Sequence, residues 1–349
     1  MLLINFKICF RTHFFIHAKL CELTDKFSMS DNTSTNARTG ILFALGGAVF
    51  LSVNDVAIKF LSSDYALHQV ILTRAFIGIT FLLGLMYVSG TGFRQILTRR
   101  PKDHLIRVSI VMISNVTYFL GLAAMPLADA VATAFISPIL VTLLSVVLLG
   151  ETVGPRRWAA VAAGMLGVIV MLRPGQGTIQ PAAILVLISA FCYASSHMMT
   201  RRMRGTESAM ALGFYVQLGF IVVSSCMGLW VGDGHLSGSS NASLAFLFRP
   251  WVWPDLGDWP IFLANGIAVA AGGLMTTQAY RLCEAGLIAP FEYAGMPLAI
   301  FWGVMVFNRW PDTTAWLGIA LICGAGLYTL WRETIRKKDS DIAAPRSDL

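Results

Sequence analysis

Five ionisable side chains stand inside long apolar stretches of this sequence, and they are the residues best suited to chemistry. They are Asp55, Lys59, Arg74, His197 and Glu292. An ionisable group in hydrocarbon costs about 2.5 to 3.5 kcal/mol on insertion scales, so each one needs a partner or a function. Carboxyl and imidazole groups bind and release protons, whereas a guanidinium donates hydrogen bonds to carboxylates. These residues therefore predict a polar site within an apolar surrounding.

Asp55 and Arg74 are predicted to lie at the same depth. Counted along their predicted helices at 1.5 Å per residue, Asp55 lies roughly 9 Å and Arg74 roughly 10 Å from the outer surface. We expect an ion pair, or a shared site in which Arg74 holds a substrate carboxylate, with a purely structural pair as the alternative. Lys59, one turn beyond Asp55, either competes for it or extends its ammonium group to the membrane interface.

Glu292 and His197 are predicted to lie near the opposite surface. Each is about 9 Å from the inner end of its predicted helix. Because burial disfavours a charged carboxyl, Glu292 is the first candidate for a proton-carrying acid, with His197 as its partner or relay. The alternatives are a protonated glutamate that hydrogen-bonds between helices and a structural histidine.

Further polar residues on the same helices are candidates to line the site, although hydrogen bonding between helices explains each one equally well. They are Asn54, Tyr118, Tyr215, Gln217 and Gln278, with Asn115 and Thr276 beside them. Pro138 and Pro297 each free a backbone carbonyl and kink a predicted helix, so they are candidate hinges or simply shape the chain.

The composition indicates that a lipid bilayer is the main solvent of the elements that carry these residues. Of 349 residues, 56% are apolar and 13% are charged, against a usual value of about 25% charged in soluble domains. The mean hydropathy is +0.68. This composition excludes a disordered chain, a disulfide scaffold and a soluble nucleic-acid-binding protein, despite the net charge of +7. The six cysteines show no metal-ligand spacing, and no metal, cofactor or nucleic-acid partner is predicted.

Apolar runs bounded by charges, glycine or proline predict an all-α integral membrane protein with ten transmembrane helices. The predicted spans are 41–61, 67–89, 105–123, 127–149, 157–172, 181–203, 209–231, 259–280, 286–308 and 314–332. The links are short except for 232–258, whose tryptophans suit an aromatic belt at the membrane interface.

The distribution of basic residues predicts that both termini are cytoplasmic. In that orientation 21 of the 26 Lys and Arg residues lie in inside segments and three in outside segments. Residues 1–40 are then an N-terminal tail and 333–349 a cytoplasmic tail. Residues 1–28 do not resemble the remainder, and we expect translation to begin at Met29.

Two registers of internal similarity divide the chain into halves, 41–172 and 181–332. One places Leu127–Leu149 over Gly286–Asn308, so that Pro138 falls on Pro297; the other places Ala48–Phe60 over Ala190–Arg202. Because each half has five helices, the halves enter the membrane from opposite sides, as in many secondary transporters with a site at the midplane. Small residues four apart in spans 5 and 10 would permit a homodimer; they are Ala160, Gly164, Ala320 and Gly324.

The segment Leu127–Glu151 resembles the signature fourth helix of the EamA-type drug/metabolite transporter superfamily, and Ala289–Tyr293 is similar to its counterpart in the second half. The likeness extends from Gly40 to Trp331. It departs at Asn308-Arg309, where a Gly-Glu pair is usual, and at the long link before span 8. The resemblance implies ten helices, cytoplasmic termini and proton- or exchange-driven movement of small metabolites, such as amino acids, nucleoside derivatives or S-adenosylmethionine.

These observations favour a secondary transporter in the inner membrane that works by alternating access on a small polar metabolite. Its energy source is not ATP, since the chain has no G-x-x-x-x-G-K-[ST] loop. The alternatives are a membrane-embedded enzyme and a channel or lipid flippase. No H-E-x-x-H or G-x-S-x-G motif supports an enzyme.

Overall fold

The computed structural model describes residues 33–90, 92–125, 127–172 and 181–308, together with scattered positions between 310 and 328. This part of the chain is helical and contains no strand. The helices are α1 Thr33–Leu61, α2 Leu67–Ser89, α3 Pro101–Ala124, α4 Leu127–Ala134, α5 Ser137–Leu149, α6 Pro155–Leu172, α7 Pro181–Met203, α8 Ala209–Val231, α9 Ala242–Phe248, α10 Trp259–Leu282, α11 Ala285–Ile288 and α12 Gly295–Met305. Short 3-10 helices occupy Phe93–Ile96 and Ala289–Ala294.

Seven helical segments of the described chain are long and apolar enough to cross a membrane. They correspond to predicted spans 1, 2, 3, 6, 7, 8 and 9. Predicted span 5 corresponds to α6, and most of predicted span 10 lies outside the described residues. Of the predicted tails, residues 1–32, with Met29, and the whole of 333–349 also lie outside the described residues, whereas residues 33–40 of the N-terminal tail belong to α1.

Local sequence signals explain where several helices begin and end. Pro101 opens α3, at a position where a missing N–H costs no hydrogen bond. The Ser208 side chain accepts a hydrogen bond from the backbone N–H of Ala211 and so caps α8. Gly90 ends α2 with φ of 67°, and Gly150 ends α5 with φ of 65°, in the left-handed region that favours glycine.

Predicted spans 4 and 9 are both interrupted next to a proline. Span 4 breaks at residues 135–136 between α4 and α5, and Pro138 stands in the first turn of α5. Span 9 consists of α11, a 3-10 helix and α12, and Pro297 is the third residue of α12. The two candidate hinges therefore lie beside the two interruptions.

The helix directions follow from close contacts at glycines. Gly40 lies against Cys283 and Gly272 against Leu51, so α1 and α10 are antiparallel. Gly121 lies against Ala182 and Val186, and Ser114 donates a hydrogen bond to the Ser189 carbonyl, so α3 and α7 are antiparallel as well. The end of α1 meets the end of α3, because Lys59 contacts the backbone of Leu122. Consequently α1 and α3 run in one direction and α7 in the other.

The long link 232–258 is fastened to the helix ends beneath it. Ser243 donates a hydrogen bond to the Leu120 carbonyl (2.7 Å), and Arg249 donates to the Ser62 carbonyl (2.9 Å). Tyr65 donates to Asp258 (2.5 Å); burial and this acceptor hold the pKa of Tyr65 above its ordinary value. Trp253 is 85% exposed, so it is available to the interface. The aromatic belt itself stays a prediction.

Candidate functional site

A cavity of about 220 Å³ lies among α1, α3, the two interrupted spans, α7 and α10. Both candidate carboxyls, Asp55 and Glu292, line it. Counting residues along the helices predicted that these carboxyls lie near opposite membrane surfaces. In the structure both line the same cavity. Aromatic side chains form much of the remaining wall: Tyr118, Phe119, Phe135, Tyr193 and Tyr280.

Asp55 is hydrogen-bonded on both carboxyl oxygens. Asn54 Nδ2 donates to Oδ1 (3.1 Å) and the Tyr118 hydroxyl donates to Oδ2 (3.2 Å). The expected direct ion pair with Arg74 is replaced by a connection through Asn54, because Arg74 Nη1 donates to Asn54 Oδ1 (2.8 Å). The physical reason is that equal depth along two helices does not fix which side chains face each other.

Arg74 is fully buried behind the cavity wall. Its Nη2 donates to Asn115 Oδ1 (3.0 Å), and its Cζ lies 5.0 Å from the Phe119 ring centroid and 5.1 Å from that of Phe220. Asn54 and Asn115 line the cavity, whereas Arg74 does not. A substrate carboxylate in the cavity would therefore meet these amides before it met the guanidinium.

Glu292 accepts hydrogen bonds from tyrosines of two other helices. The hydroxyls of Tyr280 on α10 and Tyr193 on α7 (3.2 Å) both donate to Oε1, and Ser137 Oγ lies 3.5 Å from Oε2. The 3-10 helix Ala289–Ala294 positions the carboxyl at the interruption of span 9. A partly buried carboxyl with hydroxyl donors on one side and a cavity on the other can exchange a proton with a solute that enters the cavity.

His197 lies behind these tyrosines. Its ring stacks on Tyr280 (4.0 Å between centroids) and meets Tyr193 edge to face (4.3 Å). Neither ring nitrogen has a hydrogen-bond partner among the described residues. The expected contact between His197 and Glu292 is thus mediated by Tyr193 and Tyr280.

Three other sequence candidates lie elsewhere. The Tyr215 hydroxyl donates to the Ile96 carbonyl (2.9 Å) and its ring packs on His104. Gln217 is buried beside Gly78 between α8 and α2. Gln278 accepts a hydrogen bond from Arg281 (2.8 Å). None of the three lines the cavity. Tyr215 contacts the 3-10 helix Phe93–Ile96, Gln217 contacts α2, and Gln278 is hydrogen-bonded within its own helix.

Sequence reasoning missed the structural roles of several residues. Tyr280 was not singled out, since a lone tyrosine near a helix end carries no distinctive signal. Glu151 and Arg201 form a buried ion pair (2.7 Å), and Glu151 Oε2 accepts the backbone N–H of Ala285 (2.9 Å). The Leu-Gly-Glu151 ending of the signature segment was the available signal for this pair.

Lys59 was expected either to extend to the membrane interface or to compete for Asp55. In the structure it contacts the end of α3 instead. Its ammonium group donates to the carbonyls of Leu122 and Met125 (2.7 Å each) and approaches that of Ala123 (3.4 Å). A cation at a helix C-terminus is favourable, because that end carries unpaired carbonyls and partial negative charge.

Replacing Lys59 with methionine is expected to lower the free energy of unfolding by about 1.5 to 3 kcal/mol, the range for hydrogen bonds to charged groups. Methionine keeps the apolar stem but leaves the α3 carbonyls without their donor. Thermal unfolding in detergent measures the loss. The matched control is Lys102→Met at the exposed start of α3, for which no loss is expected. Equal stability of the two variants would contradict the assigned role.

Gly164, one of the small residues considered for a dimer, packs within the chain. It lies against the ring of Tyr293, and a Cβ atom at this position would overlap that ring. The Ala160 side chain is outside the described part of the structure. A homodimer through spans 5 and 10 stays a prediction.

The comparisons with known proteins agree with one another. Residues 38–173 match the model of the EamA-like transporter family. A riboflavin transporter of Rhizobium johnstonii is 27% identical over 304 residues, which cover 87% of this chain and 95% of that protein. An S-adenosylmethionine uptake transporter of Rickettsia prowazekii is 24% identical over 294 residues, covering 84% and 93% respectively. A solved crystal structure shares the fold, with a TM-score of 0.66 at 21% identity over 82% of this chain and 94% of that one.

Proposed function

We propose that this chain, which belongs to the EamA-type transporters of the drug/metabolite transporter superfamily, carries a small metabolite across the membrane by alternating access. The observation that carries the proposal is the cavity. One of its carboxyls, Asp55, comes from the first half of the chain, and the other, Glu292, comes from the second. A site shared between two halves can open to either side when the halves move relative to each other.

Three observations support two inverted five-helix repeats. The first helices of the two halves, α1 and α7, run in opposite directions. The fourth helices are both interrupted next to the matched prolines. α1 packs extensively on α10, and α3 packs extensively on α7. In each pair, the first helix of one half packs on the third helix of the other half, so the two pairs are equivalent under the repeat. An inverted repeat produces these three features together.

We assign different roles to the two carboxyls. Glu292 is the proton carrier, because its donors are hydroxyls that can accompany a carboxyl in either protonation state. His197, expected as a relay, packs behind these hydroxyls without a hydrogen bond among the described residues, so we assign it a packing role. Asp55 binds the substrate, because Asn54 and Tyr118 hold its two oxygens in place beside the cavity. Exchange of two solutes is the alternative if no proton moves.

The cavity wall favours a neutral or cationic metabolite with a flat ring. It combines two carboxyls and two amides with aromatic side chains, and no Lys, Arg or His lines it among the described residues. Aromatic faces stack on planar groups. Riboflavin and S-adenosylmethionine, named for the relatives, both carry such a ring and are the first substrates to test.

Uptake into vesicles that contain the purified protein tests the function. We expect saturable uptake of riboflavin or S-adenosylmethionine that increases when the outside is made more acidic than the inside. Uptake that does not saturate would indicate a channel. Chemical conversion of the substrate without a gradient would indicate an enzyme.

We place the protein in the inner membrane with both termini in the cytoplasm, on the basis of the charge distribution. Single cysteines at two exposed turns test this orientation in a variant that lacks the native cysteines. Ser63→Cys, after α1, is expected to react with an impermeant reagent added outside intact cells; Gly205→Cys, after α7, is expected to react only after permeabilisation. Labelling of both from the same side would contradict the inverted arrangement.

A further inference from the structure

We infer that Arg74 is a positioning residue, which fixes the amide orientations of Asn54 and Asn115 and through Asn54 holds the carboxyl of Asp55 at the cavity. The inference rests on the proposed function, in which Asp55 binds the substrate. Arg74 itself is buried and does not line the cavity.

The surroundings of Arg74 leave its guanidinium little freedom. The side chain is 0% exposed, and the rings of Phe119 and Phe220 each lie about 5 Å from it. Aromatic faces attract a cation, and here they also exclude water. No carboxylate forms an ion pair with Arg74 in the part of the chain that the structure describes. The hydrogen-bond acceptors of its guanidinium are the two amide oxygens.

The donor-only chemistry of arginine sets how both amides are turned. Nη1 donates to Asn54 Oδ1 (2.8 Å) and Nη2 donates to Asn115 Oδ1 (3.0 Å). Because a guanidinium has no acceptor, each asparagine must present its oxygen to Arg74 and its NH₂ group elsewhere. Asn115 then donates to the Val111 carbonyl of its own helix (3.0 Å).

The orientation of Asn54 matters most, because its NH₂ group donates to Asp55 Oδ1 (3.1 Å). With the amide reversed, its oxygen would face the carboxylate and repel it. Tyr118 holds only the other oxygen of Asp55. Lysine cannot replace arginine here, since a point charge lacks the planar fork that engages both amides.

A triple-mutant cycle tests the connection without any substrate. The thermal unfolding temperature is measured for Arg74→Lys, Asp55→Asn and the double variant, first with Asn54 and then with Asn54→Leu. We expect the two losses to be non-additive with Asn54 and additive with leucine, because the leucine removes the link. Coupling of unchanged size with leucine would show that Arg74 acts on Asp55 by charge alone, and would overturn the inference. Absence of coupling in both series would also overturn it.

Two further variants protect the test against poor folding. Arg74→Gln removes the charge, whereas Arg74→Lys keeps it. Equal losses of unfolding temperature would support the role of the planar guanidinium, and a lysine variant as stable as the wild type would contradict it. Arg107→Lys is the matched control. Arg107 is also buried, with 5% exposure, and donates to Thr200 (2.9 Å) and the Leu212 carbonyl (3.1 Å), neither of which lines the cavity.

Transport distinguishes positioning from direct substrate binding. Riboflavin has no carboxylate and S-adenosylmethionine has one. We expect Arg74→Lys to raise the apparent KM of a transported compound about tenfold whichever of the two it is, and Arg107→Lys to leave it unchanged. A KM rise confined to S-adenosylmethionine would show that Arg74 contacts the substrate carboxylate. Inactivity of the wild-type protein toward both compounds would count against the proposed function, while the unfolding cycle still decides the inference.

Discussion

Glutamine in place of Glu292 is expected to abolish accumulation of the substrate against its gradient while downhill movement continues. Glutamine has nearly the same size, and its oxygen can still accept hydrogen bonds from Tyr280 and Tyr193. It cannot bind and release a proton, so a pH gradient no longer drives the loaded protein. In vesicles the accumulation ratio should fall to the level measured without a gradient, and the pH dependence of uptake should disappear.

Asp55→Asn is the matched control, because it makes the same chemical change at the other carboxyl of the cavity. If Asp55 binds the substrate, this variant should lose downhill and uphill movement together. A Glu292→Gln protein that still concentrates the substrate with unchanged pH dependence would show that Glu292 is not the proton carrier. An Asp55→Asn protein that loses only uphill movement would reverse the two assignments.

The helices of this protein were largely predictable because a bilayer imposes long apolar runs bounded by charges. The predicted spans 67–89, 181–203 and 209–231 coincide with α2, α7 and α8. The interruptions of spans 4 and 9 were less visible. Pro138 and Pro297 indicated where kinks would occur, but the 3-10 helix at Ala289–Ala294 depends on how that segment packs against its neighbours.

The site was predictable in its charged residues and not in their partners. Asp55 and Glu292 stand out because a carboxyl in an apolar run is costly. Counting residues gives the depth of a side chain but not the direction in which it points around the helix axis. For this reason the Asp55–Arg74 pair and the place of Tyr215 were wrong, and Tyr280 as a donor to Glu292 was missed.

Removing the charge of Glu151 is expected to cause the largest loss of stability among the substitutions considered. Glu151 and Arg201 are 8% and 9% exposed, and their side chains lie 2.7 Å apart. Breaking a buried ion pair by changing one partner costs about 3 to 5 kcal/mol, because the other charge is left buried and alone. Glu151→Gln should therefore lower the thermal unfolding temperature by several degrees. Arg202→Gln, at the exposed neighbouring position, is the control and should have no effect.

The pair also fixes the segment that carries Glu292. Glu151 follows α5, and Arg201 lies in the last turn of α7. Glu151 also accepts hydrogen bonds from the backbone N–H groups of Ala285 (2.9 Å) and Gly286 (3.4 Å), the first two residues of α11. A carboxylate suits this position because it faces unpaired backbone donors. Lys59, which the internal repeat aligns with Arg201, faces carbonyls at the opposite end of the bundle. Each cation thus ties helix ends together, and at the Arg201 end a carboxylate also accepts backbone N–H groups of α11.

Exchange of the two charges separates these contributions. In the double variant Glu151→Arg with Arg201→Glu, the ion pair can re-form, but arginine would then face the backbone N–H groups of Ala285 and Gly286, donor against donor. We expect little or no recovery of the unfolding temperature relative to Glu151→Gln. In the pair Glu151→Gln with Arg201→Gln, the combined loss should be smaller than the sum of the single losses, because no buried charge remains unpaired. Full recovery by charge exchange would show that the ion pair alone stabilises this end of the bundle and that the contact to α11 contributes nothing measurable.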